Sequence, residues 1–148
     1  MASYDGFYLE VGYSLPTSGI YLNERLKSRY HLTSEKAKEI GGQGLLLWSG
    51  ETIEFWVEPP AGERTLSLYV YAYSVGRVRV GVFEDGKSSW GEVIDTASNS
   101  TTEQWEKLEL SFTADGSKNY YLRIEVLPYE VEGARYRQKV YIDNLGLQ

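Results

Sequence analysis

Over most of the chain, apolar and polar residues alternate with a period of two. This is the pattern of a β-strand with one face turned to a core and the other to water. Ile53, Phe55 and Val57 share one face, and Thr52, Glu54 and Trp56 the other. Leu66, Leu68, Val70 and Ala72 alternate with Ser67, Tyr69, Tyr71 and Tyr73, and Val78, Val80 and Val82 with Arg77, Arg79, Gly81 and Phe83. Leu108, Leu110 and Phe112 alternate with Lys107, Glu109 and Ser111; Tyr120, Leu122, Ile124 and Val126 alternate with Tyr121, Arg123 and Glu125. Phe7, Leu9 and Val11 read as a first strand and Ser14 to Gly19 as a loop. Turn residues punctuate the runs at Ser49-Gly50, Pro59-Pro60-Ala61-Gly62, Asp85-Gly86 and Asp115-Gly116. A strand and turn every ten residues or so is the spacing of an all-β sandwich or barrel. Helical spacing shows only in Ser34 to Glu39, a single turn at most. No repeat or linker divides the chain, so residues 1–148 are expected to form one antiparallel β-sandwich domain.

Composition narrows the function. The chain has 148 residues and no cysteine, which removes disulfides, thiolate metal sites and cysteine nucleophiles together. Net charge is -6 with the signs interspersed, so a phosphate backbone would be repelled, and nucleic acid is not an expected partner. The longest apolar runs, such as Gly44 to Trp48, fall far short of the ~20 residues a bilayer span needs, so no membrane span is expected. No basic start precedes an apolar stretch, so no signal peptide is expected. The 13 Tyr and 4 Trp outnumber 4 Phe, an excess of rings that carry a polar edge and suit half-exposed strands or ligand platforms.

From about Ser34 onward the order of features resembles the jelly-roll, galactose-binding-like carbohydrate-binding modules attached to bacterial xylanases, glucanases and mannanases. The resemblance rests on Ser34-Glu35-Lys36-Ala37, then Gly42-Gln43-Gly44-Leu45-Leu46-Leu47, then Pro60-Ala61-Gly62 leading into Thr65-Leu66-Ser67-Leu68-Tyr69-Val70. It continues through Trp105-Glu106-Lys107-Leu108, Phe112-Thr113 and Leu122-Arg123-Ile124-Glu125, and closes on Val140-Tyr141-Ile142-Asp143-Asn144-Leu145. Tyr-Ile-Asp-Asn-Leu is its most specific part. At the N-terminus, Gly6-Phe7-Tyr8-Leu9-Glu10 departs from the family's usual opening. The resemblance implies a two-sheet jelly roll. One sheet would hold segments near 51–57, 76–84, 90–95 and 119–127, the other those near 44–48, 65–73, 105–112 and 138–147. It also implies an extracellular, non-catalytic module that binds a polysaccharide or oligosaccharide beside a neighbouring domain of a longer parent protein.

On the first of these sheets the outward residues Trp56, Arg77, Arg79, Phe83, Tyr121, Arg123 and Glu125, with Trp90 nearby, form the candidate ligand face. Sugars offer an apolar C–H face and a rim of hydroxyls, which rings and charged hydrogen-bonding groups match. Three arginines there would also favour an acidic sugar. The same residues suit ordinary cross-strand pairing on a solvated sheet. Tyr69, Tyr71 and Tyr73 lie on one strand face about 7 Å apart, and burial beneath the N-terminal segment is expected of them. By the resemblance, Asp143 with Glu10 and Glu35 would hold a structural calcium ion, which takes six to eight hard oxygens. Asp143-Asn144 would otherwise shape a bend through side-chain-to-backbone hydrogen bonds.

The single His31 cannot make a zinc site without partner ligands, so its expected role is structural or at the surface. Glu54, Glu109 and Glu125 could face a groove at a spacing open to a glycosidase pair. No acid sits in a pattern that would raise its pKa, however, and a hydrolase cleft usually needs a larger scaffold, so no enzymatic activity is expected. The alternative to a glycan-binding module is a structural or adhesive accessory β-sandwich of a secreted, cell-surface or viral protein.

Overall fold

In the computed structural model the described residues are Lys36, residues 44–148 and, as backbone, the strands β1 (Ala2–Tyr4), β2 (Phe7–Val11), β3 (Ile20–Leu22) and β4 (His31–Thr33). There follow β5 (Gly44–Trp48), β6 (Thr52–Val57), β7 (Gly62–Tyr71), β8 (Val78–Glu84), β9 (Asp95–Ser98), β10 (Trp105–Ala114), β11 (Tyr120–Val126), β12 (Tyr129–Val131), β13 (Ala134–Tyr136) and β14 (Lys139–Leu147). The expected loop at Ser14 to Gly19 and helical turn at Ser34 to Glu39 lie outside the described residues, Lys36 apart.

Among the described residues the strands form a five-stranded sheet in the order β3-β6-β11-β8-β9, a seven-stranded sheet and a two-stranded hairpin. In the seven-stranded sheet β14 is central. It pairs antiparallel with β7, which in turn pairs with the edge strand β10. On its other side the first half of β14 pairs with β5 and the second half runs parallel to β2. The pairings of β5 with β4 and of β2 with β1 complete the sheet. This is the jelly-roll sandwich.

The alternation dictates the packing. Ile53, Phe55 and Val57 from β6, Val78, Val80 and Val82 from β8 and Leu122 and Ile124 from β11 meet Leu66, Leu68, Val70, Leu110 and Ile142 of the opposite sheet in one core. Leu68 and Leu122 are fully buried, and truncating such a side chain to alanine costs about 2–5 kcal/mol. At one flank the Asp95 carboxylate of β9 accepts the Ser111 N–H of β10 at 2.8 Å, tying the sheet edges together.

Two segments differ from the expectation. The stretch 90–95 is not a strand: Ser89 caps a 3-10 turn at Trp90–Glu92, its hydroxyl accepting the Gly91 N–H, and pairing begins only at Asp95. Between Leu127 and Gln138, β12 and β13 form a short hairpin turned at Glu132 (φ 51°) and Gly133 (φ 82°). Two left-handed turn residues match the twist of a tight hairpin. The hairpin has no buried face, with Tyr136 exposed at 53%, so it leaves no alternating trace in the sequence.

Candidate functional site

Strand register brings the predicted face together. Tyr121 on the central β11 lies opposite Trp56 of β6 on one side and Phe83 of β8 on the other, and Glu125 lies opposite Arg79. The Phe83 and Tyr121 rings stack with centroids 5.1 Å apart and planes 10° from parallel, and Trp56 adds to the row at 4.7 Å from Tyr121. The Arg123 guanidinium sits 4.5 Å above the Phe83 ring.

This face is not an open hollow. The chain between β8 and β9 folds back across β8 and β11. The Tyr121 hydroxyl donates to the Lys87 carbonyl, Arg123 Nη1 donates to the Ser88 carbonyl at 2.8 Å, and Trp90 lies edge-on to Phe83 at 5.2 Å. Phe83 is therefore 0% exposed and Tyr121 3% exposed. That corrects the expectation that both rings are presented outward: the protein's own β8–β9 segment occupies their faces. Arg77 also departs from the group. Its Nη1 donates to the Leu127 and Pro128 carbonyls at the end of the sheet, and the guanidinium lies 4.8 Å from the Tyr129 ring.

The remaining charges pair within the face. Arg79 Nη2 donates to Glu125 Oε1 at 2.9 Å, the indole N–H of Trp90 donates to Glu125 Oε2 at 3.2 Å, and the Arg79 guanidinium lies 3.8 Å over the Trp90 ring. Arg123 Nε donates to Glu54 Oε2 at 3.2 Å and Nη2 to the Tyr121 hydroxyl at 3.2 Å. Burial pushes the Tyr121 phenol above its ordinary pKa, against the pull of the Arg123 charge. What stays half-buried and within reach of a ligand is Trp56, Trp90 and the two arginine–glutamate pairs, Arg79–Glu125 and Arg123–Glu54. The cross-strand pairing weighed from the sequence is present, and the two tryptophans flank it.

The tyrosine stripe on the other sheet is mixed: Tyr69 and Tyr71 are half-buried, but Tyr73 is exposed at 41%. Sequence reasoning left out Trp48 and Trp105. Trp105 meets Tyr71 edge-on at 5.6 Å, and Trp48 lies beneath the Arg137 guanidinium at 4.4 Å. Trp48 shares its strand face with Leu46, at alternate positions of β5, and that alternation was the available signal.

Asp143 is fully buried, and its Oδ1 accepts the Asn144 N–H at 2.9 Å. Asn144 has φ 51°, and the pairing of β14 with β7 shifts register between Asp143 and Gly146. The bend read from the sequence is thus present. Glu10 lies on β2 opposite Gly146, but its side chain, like all of Glu35, is outside the described residues. The Lys36 and Ile142 carbonyl oxygens stand 2.4 and 3.6 Å from where a Gly44 Cβ would be, so the Lys36 backbone passes close over β5 at that glycine. Among the described residues no three histidine, cysteine or acidic side chains converge. His31 lies on β4 opposite Leu46.

No family model matches the chain, and no curated protein matches it in sequence. Solved structures match its fold. The carbohydrate-binding module TmCBM61, determined in complex with beta-1,4-galactotriose, is 14% identical with a TM-score of 0.52, over 90% of this chain and 88% of its own. The CBM22-1 xylan-binding domain from Paenibacillus barcinonensis Xyn10C is 15% identical with a TM-score of 0.53, over 89% and 83%. The K1 cleaved adhesin domain of Lys-gingipain from Porphyromonas gingivalis W83 is 7% identical with a TM-score of 0.52, over 87% and 89%. The chain has the jelly-roll fold that carbohydrate-binding modules use.

Proposed function

We propose that this domain is a non-catalytic carbohydrate-binding module that holds a polysaccharide or oligosaccharide on the outer face of its five-stranded sheet. The observation that carries the reading is the pairing of two half-buried tryptophans, Trp56 and Trp90, with the Arg79–Glu125 and Arg123–Glu54 pairs on one surface. Indole faces stack on sugar C–H groups, while the ionised pairs offer donors and acceptors to hydroxyls. The ligands of the structural neighbours, beta-1,4-galactotriose and xylan, are the first to try. Both carboxylates are engaged by guanidinium groups, an arrangement that serves a binding surface. In a secreted parent protein, such a module raises the local concentration of a neighbouring domain on its polysaccharide.

Affinity electrophoresis in galactan, xylan, β-glucan and mannan tests this. Retardation by one polymer that Trp56→Ala or Trp90→Ala abolishes is expected. Silence with all of them, beside tight association with a flanking domain, would replace the reading with a structural accessory role. New reducing ends in the incubation would overturn the non-catalytic part. A structural calcium ion at Asp143, with Glu10 and Glu35, belongs to the same reading. It would draw on the buried Asp143 carboxylate as one of its oxygen ligands. A melting temperature that falls on chelation and recovers with calcium is expected, and one that ignores chelator removes the ion.

A further inference from the structure

On the five-stranded sheet Arg77, Arg79 and Arg123 are each engaged by a carboxylate or a carbonyl, so among the described residues that face leaves no guanidinium over for an anionic sugar. The opposite surface differs. On the outer face of the seven-stranded sheet Arg137 lies over the Trp48 ring at 4.4 Å, and the Lys36 ammonium lies over the Tyr71 ring at 4.4 Å. Neither cation has a carboxylate partner among the described residues. Lys139, on the same face, comes within 5.5 Å of Trp48. The register sets these groups in adjacent rows: Lys139 is opposite Trp48, and Tyr141 is opposite Tyr71. Tyr73, two residues beyond Tyr71 and 41% exposed, meets it edge-on at 5.6 Å.

The chain that carries Arg137 and Lys139 is pinned. Gln138, between Arg137 and Lys139, donates its N–H to the Ser49 hydroxyl at 2.9 Å, accepts the Ser49 N–H at 3.0 Å and accepts the Ser74 hydroxyl through its amide oxygen at 3.0 Å. The backbone that presents Arg137 over Trp48 is therefore held before a ligand arrives, which lowers the ordering cost of binding there.

We propose that this face is a second carbohydrate site, separate from the Trp90 face, and that it takes a carboxylate-bearing glycan such as a polyuronate. The sugar ring would lie on Tyr73, and its carboxylate would be held by Arg137 and Lys36. The charge argues for this class. A chain of net charge -6 repels polyanions at long range, so the patch works only at contact. Two or three cations suit the single carboxylate that each uronate ring presents, whereas a protein that binds a nucleic-acid backbone tightly can make about six to ten phosphate contacts.

Native gels containing polygalacturonate, dextran sulfate or a neutral β-glucan test the proposal. The expected result is retardation of the full chain by polygalacturonate. Arg137→Ala or Lys36→Ala should weaken it about tenfold, a loss of one contact. About 1 M NaCl, with a screening length of ~3 Å, should abolish it, and Arg137→Lys should partly restore it. Trp56→Ala should leave it unchanged. That separates this site from the face proposed above, which the neutral polymers report independently. Circular dichroism checks that each variant is folded. Absent retardation by polygalacturonate, retardation by dextran sulfate alone, indifference to both cation variants, or loss in Trp56→Ala would each overturn the proposal.

Discussion

Trp90 and Gly81 are fitted to one another: a Cβ built on Gly81 would stand 2.6 Å from Trp90 Cζ3 and 2.8 Å from Val93 Cγ2. Both distances are closer than atoms can pack, so the absent side chain is the notch into which the β8–β9 segment seats its indole. That notch sets how much of the five-stranded sheet a ligand can reach.

Gly81→Ala should therefore lift Trp90 off the sheet without changing the fold. Overpacking of this kind costs about 1–3 kcal/mol. Thermal unfolding should report the loss, and near-UV circular dichroism should show the Phe83–Trp90 edge contact weakened. If glycan binding uses Trp90, it falls in parallel. A variant with the wild-type melting temperature and an unchanged near-UV spectrum would mean the segment is not seated as described.

Arg123 and Glu125 make a second comparison. The Arg123 side chain, 13% exposed, bonds Glu54, the Ser88 carbonyl and the Tyr121 hydroxyl, so it joins β6, β11 and the covering segment. Glu125, 23% exposed at the side chain, holds only Arg79 and the Trp90 indole. Removing one member of a buried, multiply bonded pair costs about 3–5 kcal/mol, and at a partly solvated one a hydrogen-bonded charge is worth about 1.5–3 kcal/mol. Arg123→Ala should thus destabilise the fold more than Glu125→Ala in denaturant titrations. The reverse order would show that the segment is anchored through Trp90 instead.

The strands were legible because each core position repeats at every second residue, from Ile53 to Val57 and from Tyr120 to Val126. That alternation also placed Trp56, Phe83, Tyr121 and Arg123 on one face. It could not report that Phe83 and Tyr121 are covered. Phe83 is covered by Trp90, whose position depends on the glycine at 81, and Tyr121 meets the Lys87 carbonyl of the same segment; a missing side chain at an outward position leaves no periodic signal. The strand near 90–95, which the resemblance implies, gives way to a turn because Ser89 closes Trp90–Glu92 by a local side-chain cap, and Ile94 beyond it is exposed. The cationic face stayed hidden because Trp48, Tyr73 and Arg137 come from segments far apart in the chain. Only the pairing of β14 with both β5 and β7 assembles them.

Tyr121 gives an alkaline prediction. Burial raises its pKa above the ordinary 10.0, with Arg123 pulling the other way. Below pH 10 the folded and unfolded chains both keep this proton and stability is unaffected. As the pH rises from 10.0 through the raised folded value, only the unfolded chain releases the proton, so stability falls. Tyr121→Phe should flatten this part of the melting-temperature profile above pH 10. Equal alkaline slopes in the two proteins would show that the phenol titrates as it does in solvent.

Glu106 gives the acidic counterpart. Its carboxylate accepts the N–H and hydroxyl groups of Ser100 and the N–H and hydroxyl groups of Thr101 at 2.8 to 3.1 Å, pinning the loop that enters β10. Partial desolvation alone would raise its pKa, but the donors from Thr101 and Ser100 together outweigh it and hold the carboxyl below 4.5. The stability it contributes is complete above pH 4.5 and is lost as the pH falls through the lowered folded value, where the bound proton removes the acceptor. Glu106→Gln, which cannot accept all of these donors at once, should lower the melting temperature at neutral pH. It should also remove part of the acid-side decline, while the Ser100 and Thr101 amides lose their hydrogen-exchange protection. A Gln variant that keeps that protection at neutral pH would show that the loop is held from elsewhere, with the buried Asn99 as the candidate: its side chain accepts the Val78 N–H at 2.9 Å and donates to the Ser74 carbonyl at 2.8 Å and to the Thr101 carbonyl at 3.1 Å.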